Sequence, residues 1–157
     1  MKKIFLVLAL FTTAFVQNSF AQDSTETQPA QLLNAYYKLK DALVSSNATS
    51  AAAKADELVK AINSTDKQAV NGDARVALLK DAGAISGSKD IKLQREKFAN
   101  LSASMFELAK TIKLSAEPIY QQYCPMKKAS WLSNDKAIKN PYYGNMMLTC
   151  GTVKATL

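Results

Sequence analysis

The sequence predicts a mainly α, single-domain fold. It reads as a four-helix antiparallel bundle over residues 30–115 that carries a small C-terminal β-hairpin-like segment within residues 118–157. Two observations predict it. Apolar residues recur at spacings of three and four from Ala30 to Ile112, interrupted by short polar runs. After Pro118 that period ends and the composition shifts, because residues 118–157 hold both Cys, the only Trp and four of the six Tyr.

The first element precedes the fold. Met1-Lys2-Lys3 is cationic, Ile4 to Val16 is apolar apart from Thr12 and Thr13, and Ser19-Phe20-Ala21 places small residues before a cut at Gln22. This is the tripartite pattern of a secretory signal peptide over residues 1–21. Its apolar run falls short of the roughly 20 residues a membrane span needs. No later segment is apolar enough to span a membrane, so a periplasmic or secreted location is expected. Residues 22–29 are polar and contain Ser, Thr and Pro, which reads as a flexible leader.

Four helices follow. Leu32, Tyr36, Leu39 and Leu43 form one apolar stripe, ended by Ser45-Ser46-Asn47. Asn47 or Thr49 caps the second helix, whose inward face is Ala51, Ala52, Ala55, Leu58, Val59 and Ile62. The third is expected over Lys67–Ala84 with Val70, Ala74, Ala77 and Leu78 inward, and a loop from Ala82-Gly83 to Gly87-Ser88 closes it. The fourth is the clearest: Ile91, Gln94, Phe98, Leu101, Met105, Leu108 and Ile112 keep the spacing, with Ser88 or Asp90 as cap.

In the C-terminal segment, Ile119–Tyr123 and Met147–Val153 alternate like strands. Trp131-Leu132 and Asn140-Pro141-Tyr142-Tyr143-Gly144 read as loop and turn. Trp131 and Tyr142 are the aromatic candidates for anchoring this segment to the bundle and for binding.

Composition excludes several functions. The chain has 157 residues, 20 Lys+Arg, 13 Asp+Glu and no His. Without His there is no His-based triad and no zincin helix. Losing Lys2 and Lys3 with the signal lowers the net charge from +7 to +5. Sixteen of the 18 remaining cations are Lys spread along helical faces; a nucleic-acid surface clusters Arg and interleaves aromatics. No glycine-rich phosphate loop is present. Asp56 and Glu57 are neighbours on a helix that point apart, and Cys124 has no base. The expectation is a protein that is not an enzyme.

The chemistry-bearing cluster is Cys124-Pro125-Met126 with Met146-Met147-Leu148-Thr149-Cys150. Thiolates and thioethers are soft ligands suited to Cu(I) and Ag(I), so Cys124, Met126, Met146, Met147 and Cys150 are candidate metal ligands. An even Cys count in an exported chain also suits a Cys124–Cys150 disulfide that fixes the fold with no metal, and the two Cys are expected to be joined in the resting protein. A redox-switching pair is the third reading.

Tyr-Cys-Pro-Met, Trp-Leu-Ser, Asn-Pro-Tyr-Tyr-Gly and Met-Leu-Thr-Cys-Gly, with Tyr-Tyr-Lys-Leu-Lys-Asp-Ala-Leu-Val in the first helix, resemble an uncharacterised family of exported bacterial domains. That family also occurs fused to periplasmic adaptor subunits resembling those of copper/silver efflux pumps. Cys124, Met126, Trp131, Asn140, Pro141, Tyr142, Gly144, Met147, Cys150 and Gly151 occupy its motif positions. The resemblance implies a shared fold and a link to heavy-metal efflux, with efflux-pump components as partners. It supplies no catalytic residues.

Overall fold

The computed structural model describes residues 27–157. The expected signal peptide and residues 22–26 of the expected leader lie outside the described residues. The elements run α1 (Gln28–Val44), α2 (Ala48–Ser64), α3 (Gly72–Ser86), α4 (Ile91–Thr111), β1 (Tyr120–Cys124), β2 (Ala129–Ser133), a 3-10 turn (Gly144–Met146) and β3 (Thr152–Thr156). The mainly α fold is as expected, and its C-terminal part is a three-stranded antiparallel sheet of order β2-β1-β3. Among the described residues no helix is long and apolar enough to cross a membrane.

The apolar stripes account for the helices. Leu32, Tyr36, Leu39 and Leu43 of α1 are wholly buried, as are Ala51, Ala55, Leu58 and Ile62 of α2 and Phe98, Leu101 and Met105 of α4. Full burial of each large side chain contributes about 1.5–3 kcal/mol. Each helix packs against the next in sequence, and α4 also carries β2. Asn47 and Asn71 cap α2 and α3 by accepting the N–H of Ser50 and Ala74, and Asp90 caps α4 by accepting that of Lys92.

Both arginines serve helix C-termini, whose last carbonyls lack partners within the helix. Arg75 donates to Ile62, Thr65 and Asp66 carbonyls at the end of α2. Arg95, 8% exposed, donates to the Leu43 carbonyl at the end of α1, to Ser46 Oγ and to the Pro141 carbonyl. The second of these arginines thus joins the bundle to the C-terminal loop.

Three regions differ from the sequence reading. α1 begins at Gln28, two residues into the expected leader, because Pro29 suits the first helical turn. α3 starts at Gly72 rather than Lys67, since Asn71 is its cap, and it continues through Ser86, burying Ala82 and Ile85 where a loop was expected. Trp131 and Leu132 lie in a strand, β2, paired to Gln122 and Gln121, while Met147–Cys150 is turn and β3 begins only at Thr152.

The sheet is fastened to the bundle by aromatic rings. Tyr36 of α1 stacks on Phe98 of α4 at 5.3 Å, Phe98 meets Tyr142 at 6.0 Å, and Tyr142 meets the edge of Trp131 at 5.9 Å.

Candidate functional site

Cys124 is the last residue of β1. Residues 125–128 turn the chain back into β2, with Lys128 at φ +55°, and the Lys127 N–H points at Cys124 Sγ at 3.4 Å. The chain returns to the same end of the sheet by way of the 134–150 loop. There Cys150 donates its N–H to Met147, and Gly151, at φ +155°, leads into Thr152 beside Tyr123 of β1. A Cβ at Gly151 would stand 2.9 Å from the Trp131 ring and 3.0 Å from the Tyr123 carbonyl, so glycine lets the chain pass at this point.

This route brings the two sulfurs to 3.9 Å. The sequence reading expected them joined, and the structure corrects that: both are free thiols, their separation nearly twice the roughly 2.0 Å of a disulfide bond. Cys124 is buried and Cys150 half-buried. Burial, then the hydrogen bond and the charge of Cys124, pushes the Cys150 thiol above its ordinary value.

Asn140 holds the Cys150 arm in place. It is wholly buried, and all four of its polar groups are used. Its N–H donates to the Leu148 carbonyl at 2.8 Å and its carbonyl accepts the Gly144 N–H at 3.0 Å. Its side-chain Nδ2 donates to the Cys150 carbonyl at 2.7 Å, while Oδ1 accepts the Tyr142 N–H at 2.8 Å. Gly144 sits at φ +57°, where a Cβ would come within 2.7 Å of the Val44 carbonyl and 2.8 Å of an Arg95 nitrogen. The Asn-Pro-Tyr-Tyr-Gly run is therefore the frame of the 140–150 loop, locked to the end of α1.

The five candidate ligands separate by depth. Cys124 and Cys150 meet. Met126 follows Cys124 in the hairpin turn and is 63% exposed; Met146 ends the 3-10 turn and is 75% exposed; Met147 is half-buried. Trp131 and Tyr142 are 1% and 4% exposed, so both face the core and neither presents a ring to solvent. Among the described residues no three Cys, Asp or Glu side chains converge as ligands. A cation held by the thiol pair would complete its shell from Met thioethers, backbone or water.

Sequence reasoning missed two features. One is the polar role of Tyr36, whose hydroxyl accepts the Leu132 N–H and shares a hydrogen bond with Ser102. The other is a groove of about 800 Å³ between the α3–α4 side of the bundle and the sheet, floored by Ala74, Ala99, Ala103 and Phe106 with Gln121 and Lys128 at the sheet. The small residues Ala99 and Ala103, four apart on α4, are its trace in the sequence.

The family described as "Protein of unknown function (DUF3347)" matches residues 32–117, more than half of the chain; the match runs through α1 to α4 and stops short of Cys124. No curated protein and no solved structure matches the chain.

Proposed function

We propose, from the premise that the chain belongs to the DUF3347 family of proteins of unknown function, that this is a non-enzymatic exported accessory domain whose thiol pair binds Cu(I) or Ag(I). The observation that carries the reading is the 3.9 Å separation of two unbonded thiols within a segment otherwise supplied with soft donors. The metal is cargo rather than cofactor in this reading. Cys124 and Cys150 hold it, with Met147 closest in depth as a third donor. Periplasmic efflux-pump components are the partners the reading implies, and export rests on the signal pattern of residues 1–21.

Anaerobic titration of the reduced protein with Cu(I) against a competing chelator tests it. The wild type is expected to bind one Cu(I), and the Cys124→Ser/Cys150→Ser variant to bind more than about 100-fold more weakly, a larger loss than outer-shell changes cause. Equal affinities would remove the metal.

The Asn140 hydrogen bonds favour a second reading, a structural or partner-binding module without metal, since they give the motif residues a purely architectural role. Equal Cu(I) affinity of the wild type and the double variant would leave that reading in possession.

A further inference from the structure

We propose that Cys150 and Cys124 form an asymmetric dithiol that exchanges with small-molecule disulfides, Cys150 as the attacking thiol and Cys124 as the resolving one.

The asymmetry is one of access. Cys124 is wholly buried beneath the hairpin turn, while Cys150 is only half-buried at the end of the loop. A disulfide arriving from solvent therefore meets Cys150 first. The second step is intramolecular, and its geometry is already present. The sulfurs are 3.9 Å apart: Cys124 ends β1, and Cys150 lies two residues before β3, which pairs with β1 from Thr152. The Lys127 N–H is directed at Cys124 Sγ at 3.4 Å and fixes the inner sulfur beneath the turn. Asn140, fixed on the Cys150 carbonyl, keeps the outer arm in register with the inner one.

The chemistry balances with the disulfide as oxidant. The Cys150 thiolate attacks one sulfur of R–S–S–R; the S–S bond breaks, and RS⁻ leaves and takes a proton from water as RSH. The protein now carries Cys150–S–S–R. Cys124 gives its proton to solvent, and its thiolate attacks Cys150 Sγ, expelling the second RS⁻, which leaves as RSH. Two thiols and one disulfide become one protein disulfide and two RSH, with two electrons passing from the protein to the substrate. The reaction stands apart from the soft-metal reading. The oxidised pair has no thiolate to give a metal, so the two states exclude each other.

The probe is glutathione disulfide, mixed with the reduced full chain in the presence of a chelator and followed by intact mass. The wild type is expected to lose two hydrogens, stay monomeric and accumulate no adduct. Cys124→Ser is expected to hold one glutathione at Cys150, and Cys150→Ser to react at least about tenfold more slowly, as burial of the remaining thiol requires. Stable adducts or disulfide-linked dimers on the wild type would overturn the proposal, as would Cys150→Ser reacting as fast as Cys124→Ser. A measurement that needs no variant guards against misfolding: brief alkylation of the reduced wild type should place the first label on Cys150, and a first label on Cys124 refutes the asymmetry. Because metal is excluded, either outcome leaves the Cu(I) titration to be judged by itself.

Discussion

The Tyr36 hydroxyl of α1 accepts the backbone N–H of Leu132 in β2 at 3.0 Å, a contact between residues 96 apart in sequence. Its neighbour along the same edge is the Tyr142 hydroxyl, which donates to the Ser130 carbonyl at 2.5 Å. β2 is an outer strand, and an outer strand presents unpaired backbone groups that invite pairing with another chain. Here two tyrosine hydroxyls take the place of a further strand. The rings that carry those hydroxyls belong to the aromatic stack joining bundle to sheet, so one pair of residues serves packing and edge closure together.

Tyr36→Phe keeps the ring and removes the acceptor. It leaves the Leu132 N–H buried without a partner, which costs about 1–3 kcal/mol. Urea unfolding should show that loss at unchanged slope, and hydrogen exchange should show the Leu132 amide opening faster than its neighbours. An unchanged midpoint would mean that water replaces the hydroxyl.

The helices were legible because their signal is local. A 3-and-4 stripe is present in the residues themselves, and the caps Asn47 and Asp90 stand where the polar breaks put them. β2 was not legible: Ala129-Ser130-Trp131-Leu132-Ser133 is covered on both faces, so apolar and polar residues do not alternate along it. The meeting of Cys124 and Cys150 was legible from an even Cys count, but their bonding state was not, since spacing fixes proximity and leaves oxidation open. Tyr36 sits in an apolar stripe and reads as core. Its hydroxyl acquires a task only when a strand nearly a hundred residues on arrives beside it.

Gly144→Ala tests the lock between loop and bundle. Alanine at φ +57° costs roughly 1–2 kcal/mol by conformation alone. Its methyl also collides with the Val44 carbonyl and the Arg95 guanidinium. The loop would have to move away from α1, so thermal unfolding should shift down and alkylation of Cys150 should quicken. A variant as stable as the wild type, with Cys150 alkylated at an unchanged rate, would show that the loop is not held there.

Alkaline pH should unfold the protein through its tyrosines. Burial pushes the hydroxyls of Tyr36, Tyr37 and Tyr142 far above their ordinary value of about 10. Above that value the unfolded chain releases protons that the folded chain retains, so stability is full below about pH 10 and falls as the pH rises through it. Each such tyrosine contributes a slope of about 1.4 kcal/mol per pH unit in that range. Phenolate absorbance and the far-ultraviolet helix signal should therefore change together; phenolate appearing in full on an intact fold would contradict it.

Asn140→Asp separates the two halves of the Asn140 side chain. The substitution is nearly isosteric and keeps an oxygen to accept the Tyr142 N–H. It replaces the Nδ2 donor, 2.7 Å from the Cys150 carbonyl, by a second oxygen. As a carboxylate, that oxygen repels the carbonyl and is buried where Asn140 is wholly covered, so the Cys150 arm loosens from Cys124. As a carboxylic acid it regains an O–H that can donate to the same carbonyl. Burial favours the neutral acid, so protonation sets in above the ordinary carboxyl value of about 3.9. The variant should thus lose about 1–3 kcal/mol relative to the wild type near neutral pH and recover part of that difference as the pH falls toward 5. The sign is fixed by linkage, because a carboxyl whose folded pKa is raised stabilises the folded state on the acid side. Paired urea unfolding curves at the two pH values measure the recovery, and a penalty independent of pH would assign the loss to packing rather than to the missing donor.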